Sequence, residues 1–166
     1  MERLRRVREG RLQSPTKSVR EYAETPTLFT QDRQPDREYL AIPEVSSERR
    51  FYIPIALLPP NVIASNKLLT LEGATLFDFG MITSAMHMAW MRAVGGRLKS
   101  DYSYAPAIYN TFPWPTISPE QQANIEVLAQ EVLDARTSFE DTALDVLYDQ
   151  DSMPSKLRKA HVALDK

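Results

Sequence analysis

The chain has 166 residues, 43% of them hydrophobic, a formal net charge of −2 and no cysteine. That length supports one compact core, or a moderate domain with a small satellite, and the missing cysteines exclude disulfide frameworks, thiol nucleophiles and zinc–thiolate sites. Two histidines, His87 and His161, are too few for a histidine-rich metal site, and without an apolar span or a signal-peptide core the expected compartment is the cytoplasm, with no membrane partner.

Charge is unevenly distributed. Residues 1–50 hold 11 Lys or Arg against 9 Asp or Glu, residues 51–115 hold 4 against 3, and residues 116–166 hold 5 against 10. A nucleic-acid partner would therefore meet the first two thirds, because phosphate neutralisation needs local cations rather than a basic whole.

In chain order, an Arg-rich helix is expected over Glu2 to Gln13. Pro15, Pro26 and Pro35 then forbid one long helix through residue 37. From Glu38 the pattern becomes strand-like: "EYLAIPEV" and "RRFYIPIALL" flank "SSE" as an antiparallel hairpin, and "NVIASNKLLTLEG" adds one or two strands. Pro43 and Pro54 place both hairpin strands at edges or bulges. "ATLFDFGMITSAMHMAWMRAVGG" reads as one helix, with Phe77, Met81, Ala85 and Met88 on one face, Ile82, Met86, Ala89 and Ala93 on another, and Gly95-Gly96 as its stop. Apolar nearly all round, it is expected to be buried, and His87 with it as a core residue.

Beyond Pro115 the chain is helical. Ser118 as N-cap, Pro119 at the first helical position and Gln121 completing a capping box open an amphipathic helix with Ile125, Leu128, Ala129, Val132 and Leu133 on its face. "EDTALDVLYD" and "PSKLRKAHVALDK" supply two shorter helices, and the end at Lys166 reads as a cut from something longer. The fold class is thus α+β: a small irregular antiparallel sheet with a buried helix over residues 1–115, then a small helical bundle over 116–166.

No catalytic motif is present. Five scattered glycines, at positions 10, 73, 80, 95 and 96, cannot build a dinucleotide or phosphate loop. Leu58-Pro-Pro-Asn61 has the letters of the Asn-Pro-Pro-aromatic motif of amino-methyltransferases in the wrong order. Acidic pairs such as Glu140 and Asp141 fit a solvated helix face.

"GGRLKSDYSYAPAIYNTFPWP" is the most distinctive stretch. On an extended backbone Lys99, Asp101 and Arg97 would share one face. A cation beside a carboxylate matches one base pair, with Lys donating to guanine O6 and N7 and Asp accepting from the cytosine amine. The bland alternative is an exposed ion pair worth about 0–1 kcal/mol. Tyr102, Tyr104 and Tyr109 could line a DNA groove or cover a sheet edge.

The words "SSERRFYIPIALLPPNVIASN", "FDFGMITSAMHMAWMRAVGGRLKSDYSY", "IYNTFPWP" and "LYDQDSMPSKLRKAHVALDK", colinear over essentially the whole chain, resemble the C-terminal end of MmeI-like bacterial DNA methyltransferases, single-chain restriction and modification enzymes. The resemblance implies a target recognition domain followed by a helical C-terminal domain. It also implies an upstream methyl-transfer domain, outside this sequence, that uses S-adenosylmethionine to modify the exocyclic amine of adenine and that in some relatives accompanies a nuclease. Within it, Lys99 and Asp101 take the places of the charged pair that reads one base pair of double-stranded DNA, with guanine facing Lys99. Arg49, Arg50, Lys67 and Arg97 are the expected phosphate contacts, and Tyr102 and Tyr104 the expected groove contacts. Tyr109, Phe112 and Trp114 are expected to anchor the domain junction, stiffened by Pro113 and Pro115. The fragment itself would hold no cofactor or metal. A protein interaction module, with the Met-rich helix and acidic tail docking a partner chain, is the reading from another class.

Overall fold

The computed structural model describes residues 1–30 and 33–166. Two compact units result, Met1–Gln34 and Pro35–Lys166. In the first, α1 (Glu2–Leu12) is followed by α2 (Lys17–Glu21) and a single 3₁₀ turn, Tyr22–Glu24. The break after Leu12 falls where the proline at position 15 removes a backbone donor, as expected. With only Ala23 buried among the described residues of its helices, this unit is tied by polar contacts instead. Arg11 donates to the carbonyls of Tyr22, Thr25 and Leu28 at 2.7, 2.8 and 2.6 Å, and Arg8 pairs with Glu24 at 2.9 Å.

The second unit contains two small antiparallel sheets. In one, β1 (Tyr39–Pro43) lies between β3 (Ala56–Leu58) and β4 (Leu68–Glu72); in the other, β6 (Asp101–Ser103) lies between β2 (Val45–Ser46) and β5 (Gly96–Leu98). β1 and β3 pair antiparallel, with Leu40 opposite Leu57, but the expected tight hairpin is not there. Residues 44–55 connect the strands, β2 leaves to join the other sheet, and the chain returns through a turn at Glu48-Arg49 and a bend at Phe51-Tyr52. Nor is β1 an edge. Its residues Tyr39 to Ile42 are buried on both faces, a pattern that calls for a neighbour on each side, and Pro43 is tolerated because it ends the strand, opposite Leu68.

The Met-rich segment also differs from expectation. It is two helices, α3 (Leu76–Ile82) and α4 (Ala85–Val94). The Ser84 hydroxyl donates to the Met81 carbonyl at 2.7 Å and accepts from the His87 amide at 3.2 Å, closing one helix and capping the next. α3 opens with a capping box in which Thr75 and Asp78 satisfy each other's backbone amides. Burial is one-sided on α4: His87, Met88 and Met91 face inward, whereas Met86 and Val94 are exposed. α3 packs on α6 (Pro119–Thr137) across Gly80, where an added Cβ would lie 2.9 Å from Ile125 Cγ2 and 3.2 Å from Ala129 Cβ.

The predicted cap of α6 forms as read: Ser118 Oγ accepts from the Gln121 amide at 3.2 Å and Gln121 Oε1 from the Ser118 amide at 2.8 Å. After α5 (Pro106–Asn110) and α6 come α7 (Leu144–Leu147) and α8 (Ser155–Leu164), with Pro154 at the α8 N-cap rather than inside its first turn. Ala129, Val132, Leu147, Tyr148 and Leu157 enter the same apolar cluster as Leu40, Ile53, Phe79 and Met88, so one core runs across residue 115. No helix among the described residues is long and apolar enough to cross a membrane.

Candidate nucleic-acid interface

α4 runs directly into the hairpin that carries the charged pair. Gly95 makes the join: it leaves the helix at φ −72°, ψ 149°, and a Cβ there would meet the Met91 carbonyl oxygen at 2.4 Å. Only glycine lets the strand depart so close to the last helical turn. β5 and β6 then pair Gly96 with Ser103, Arg97 with Tyr102 and Leu98 with Asp101, which leaves Lys99 and Ser100 as a two-residue turn.

Lys99 is therefore not on an extended strand. Its φ is +57°, and it is the only described residue other than glycine with a positive φ. The geometry that would put Lys99 and Asp101 on one strand face is replaced by a turn tip, with Ser100 between the two charges. Positive φ at the first central position of a two-residue hairpin is where glycine is favoured. A lysine there is strained and persists only where surrounding structure holds it. Lys99→Gly should accordingly stabilise the chain by about 1 kcal/mol, the approximate cost of a left-handed side-chain-bearing residue, and raise Tm by about 2–4 °C. Differential scanning calorimetry of the two proteins checks this.

Asp101 is oriented from the neighbouring loop, its Oδ1 accepting the Glu48 amide at 3.3 Å. Arg97 lies across the strand pair with its guanidinium 3.9 Å from the Tyr102 ring centroid. Its Nη1 donates to the Ser100 carbonyl at 2.8 Å and sits 4.0 Å from Glu48 Oε2.

The other expected contacts are placed differently. Tyr102 is 7% and Tyr104 4% exposed, so both rings belong to the core cluster rather than to an open surface. Tyr104 is fixed by its hydroxyl, 2.7 Å from His87 Nε2, and burial pushes its ionisation well above the usual phenol range. Arg49 forms an ion pair with Asp151. Arg50 reaches Ser46 Oγ and the Asp145 carbonyl, each at 3.4 Å. Both arginines of "SSERR" thus turn toward the acidic C-terminal part, a pairing across about 100 residues that charge counting by segment cannot foresee. Lys67 is the freest of the four cations, with its side chain 76% exposed and its Nζ 3.7 Å from Glu44 Oε2. Sequence reasoning missed Glu48, whose only sequence signal is its place in a polar turn.

The aromatic cluster is packed, and its ring contacts are with Phe77, His87 and one another. Phe112 is buried, with its ring edge-on to His87 at 4.6 Å and to Trp114 at 5.2 Å. Trp114 is half-buried against Phe77 and Tyr109. His87 is fully buried, and that burial lowers its pKa to about 4.

Residues 1–116 match the family model of the MmeI target recognition domain, and residues 117–166 match that of the MmeI C-terminal domain. DNA methyltransferase A of Bacillus subtilis (strain 168) is 38% identical over 165 residues, which make up 99% of this chain and 19% of that protein. MmeI, a Type IIL restriction-modification enzyme solved in complex with DNA, superposes with a TM-score of 0.88 at 45% identity, over 99% of this chain and 22% of that one. The chain spans about a fifth of the length of these relatives. With one family model matched through α5 and the hairpin and the other through the terminal helices, the chain belongs to the MmeI family, as its target recognition and C-terminal domains.

Proposed function

We propose that this chain reads DNA sequence for a larger, S-adenosylmethionine-dependent enzyme that methylates adenine, and that it does no chemistry itself. The observation that carries the reading is the hairpin turn of a matched target recognition domain, which holds Lys99 at a positive φ and, two residues on, Asp101 anchored to the Glu48 amide. Lys99 would donate to O6 and N7 of a guanine and Asp101 would accept from the amine of its cytosine partner. The methyl-transfer domain, and any nuclease, are assigned to the part of the relatives' length that this chain does not match. No step involving the cofactor is assigned to this chain. The corresponding compartment is the cytoplasm, where the DNA substrate lies.

Lys67 is the proposed phosphate contact, with Arg49 able to exchange Asp151 for a phosphate. A protein-docking role draws on the exposed Met86 and Val94 of α4. Salt dependence separates the two. DNA affinity of the full-length enzyme should fall linearly in log–log form, with a slope of about 0.9 per neutralised phosphate. Lys67→Ala should weaken all sequences alike and reduce that slope by about one. An unchanged slope and affinity for Lys67→Ala, Arg49→Ala and their double variant would favour the docking role.

A further inference from the structure

Arg97 has a surface position and a charge that suit a phosphate, yet its contacts run inward. Its guanidinium plane covers the Tyr102 ring at 3.9 Å, and Tyr102 is its direct cross-strand partner, so the stack is built into the register of the hairpin. The same side chain reaches the Ser100 carbonyl at 2.8 Å. Ser100 is the second residue of the turn, adjacent to Lys99 at φ +57°. A left-handed lysine in a turn that glycine would favour needs an external clamp, and Arg97 supplies one: a flat face fixed on an aromatic ring and a fork directed at the turn's own carbonyl. Glu48 closes the arrangement from the other side. Its amide holds Asp101 Oδ1 at 3.3 Å, and its carboxylate lies 4.0 Å from Arg97 Nη1.

We propose that Arg97 is a positioning residue for sequence reading: through Tyr102 and the Ser100 carbonyl it holds the Lys99–Ser100 turn in the one conformation that presents Lys99 beside Asp101. This rests on the base-reading role given to that pair above. It separates Arg97 from the phosphate contacts, because a clamp acts on discrimination at one base pair, whereas a phosphate contact acts on every sequence equally. Lysine cannot replace it, since an ammonium carries the charge without the plane or the fork.

The test uses the full-length enzyme with Arg97→Lys, Arg97→Ala and Tyr102→Leu, and with the charge exchange Lys99→Glu/Asp101→Arg run beside them. Methylation rates are measured on the cognate site and on sites altered at each position in turn, together with affinity for non-cognate DNA across a salt series. All three single variants should lose discrimination at the same one position that the charge exchange redirects, by about fivefold, the worth of one ordinary hydrogen bond. Other positions and the salt slope should stay as in the parent. If Arg97→Lys keeps parental discrimination while Arg97→Ala weakens all sequences and lowers the slope by about one, Arg97 is a phosphate contact and the clamp is overturned, with base reading intact. Unchanged discrimination in all three variants overturns it equally. A charge exchange that redirects no position removes the base-reading role, and the clamp with it.

Discussion

Arg136→Ala should destabilise the chain by about 3–5 kcal/mol, the range for truncating a large buried side chain and leaving polar partners unmet. Arg136 is only 8% exposed. It emerges from the inner face of α6 beside Ala129, Val132 and Ala135, and the described hydrogen bonds give it no carboxylate. Its Nε donates to the Tyr148 hydroxyl at 2.9 Å, with Nη2 on the same oxygen, and its Nη1 donates to the Ile55 carbonyl at 2.7 Å. The faces of Phe79 and Tyr148 lie 5.1 and 4.9 Å from its central carbon. A buried cation is held here by phenol oxygen, carbonyl and aromatic faces together. Alanine removes all of them, leaves the Ile55 carbonyl unpaired, and opens a cavity where the terminal helices join the sheet. Thermal unfolding should drop by about 10 °C. A change of under about 1 kcal/mol would mean that the core closes over the gap and that the network adds little.

Stability should also fall steeply below pH 6.5, and the two histidines are the cause. Arg136 can only donate, so the Tyr148 proton goes to His161 Nε2, 2.7 Å away, which requires that nitrogen to be an acceptor and the ring neutral. Tyr52 stacks on the ring at 4.0 Å. Burial, and then the nearby Arg136, lower the His161 pKa to about 3. Burial alone takes His87, packed between the Tyr104 hydroxyl and the Phe112 ring, to about 4. In the unfolded chain both titrate near 6.5. Above that value neither state binds the proton and the contribution is flat. Below it the unfolded state is protonated and the folded state is not, so each histidine removes about 1.4 kcal/mol per pH unit. The loss ends for His87 near pH 4 and for His161 near pH 3. At pH 5 the two together should cost about 4 kcal/mol. Urea unfolding at pH 7.5 and pH 5.0 measures this directly: a loss of about half that size would show that one ring is solvated or already charged in the fold, and equal midpoints would show it of both.

Local chemistry was legible in the sequence wherever it acts over three or four residues. The Ser118–Gln121 capping box, the stop after Leu12, and the role of Phe112 in the core follow from patterns that any context preserves. The helix break was legible in principle, since Thr83-Ser84 is a capping pair, but the apolar period passes through it without a change of phase and hides it. What could not be read is long-range pairing. β1 becomes central because β4 covers its second edge. The basic "SSERR" loop loses its free charge to Asp151, about 100 residues on. The site followed the same rule. Lys99 and Asp101 were identifiable as a charged pair, but the turn that presents them depends on strand register, and register is fixed by tertiary partners such as Val45 and Ser46. Glu48 enters the site only through that register, and through it Arg97, identifiable in the sequence as a cation, turns to Tyr102 and the Ser100 carbonyl.

The central claim is that Lys99 and Asp101 read a guanine–cytosine pair. Exchanging the charges in place, Lys99→Glu with Asp101→Arg, in the full-length enzyme would present an acceptor to cytosine and a donor to guanine, favouring the reversed pair. Methylome sequencing of cells expressing each version should show preference at one position of the modified motif reversed by about tenfold or more, in line with about 1–3 kcal/mol per base contact, with the remaining positions unchanged. An unaltered motif with activity retained would contradict it, and would leave the two charges as ordinary solvated groups at the tip of the hairpin.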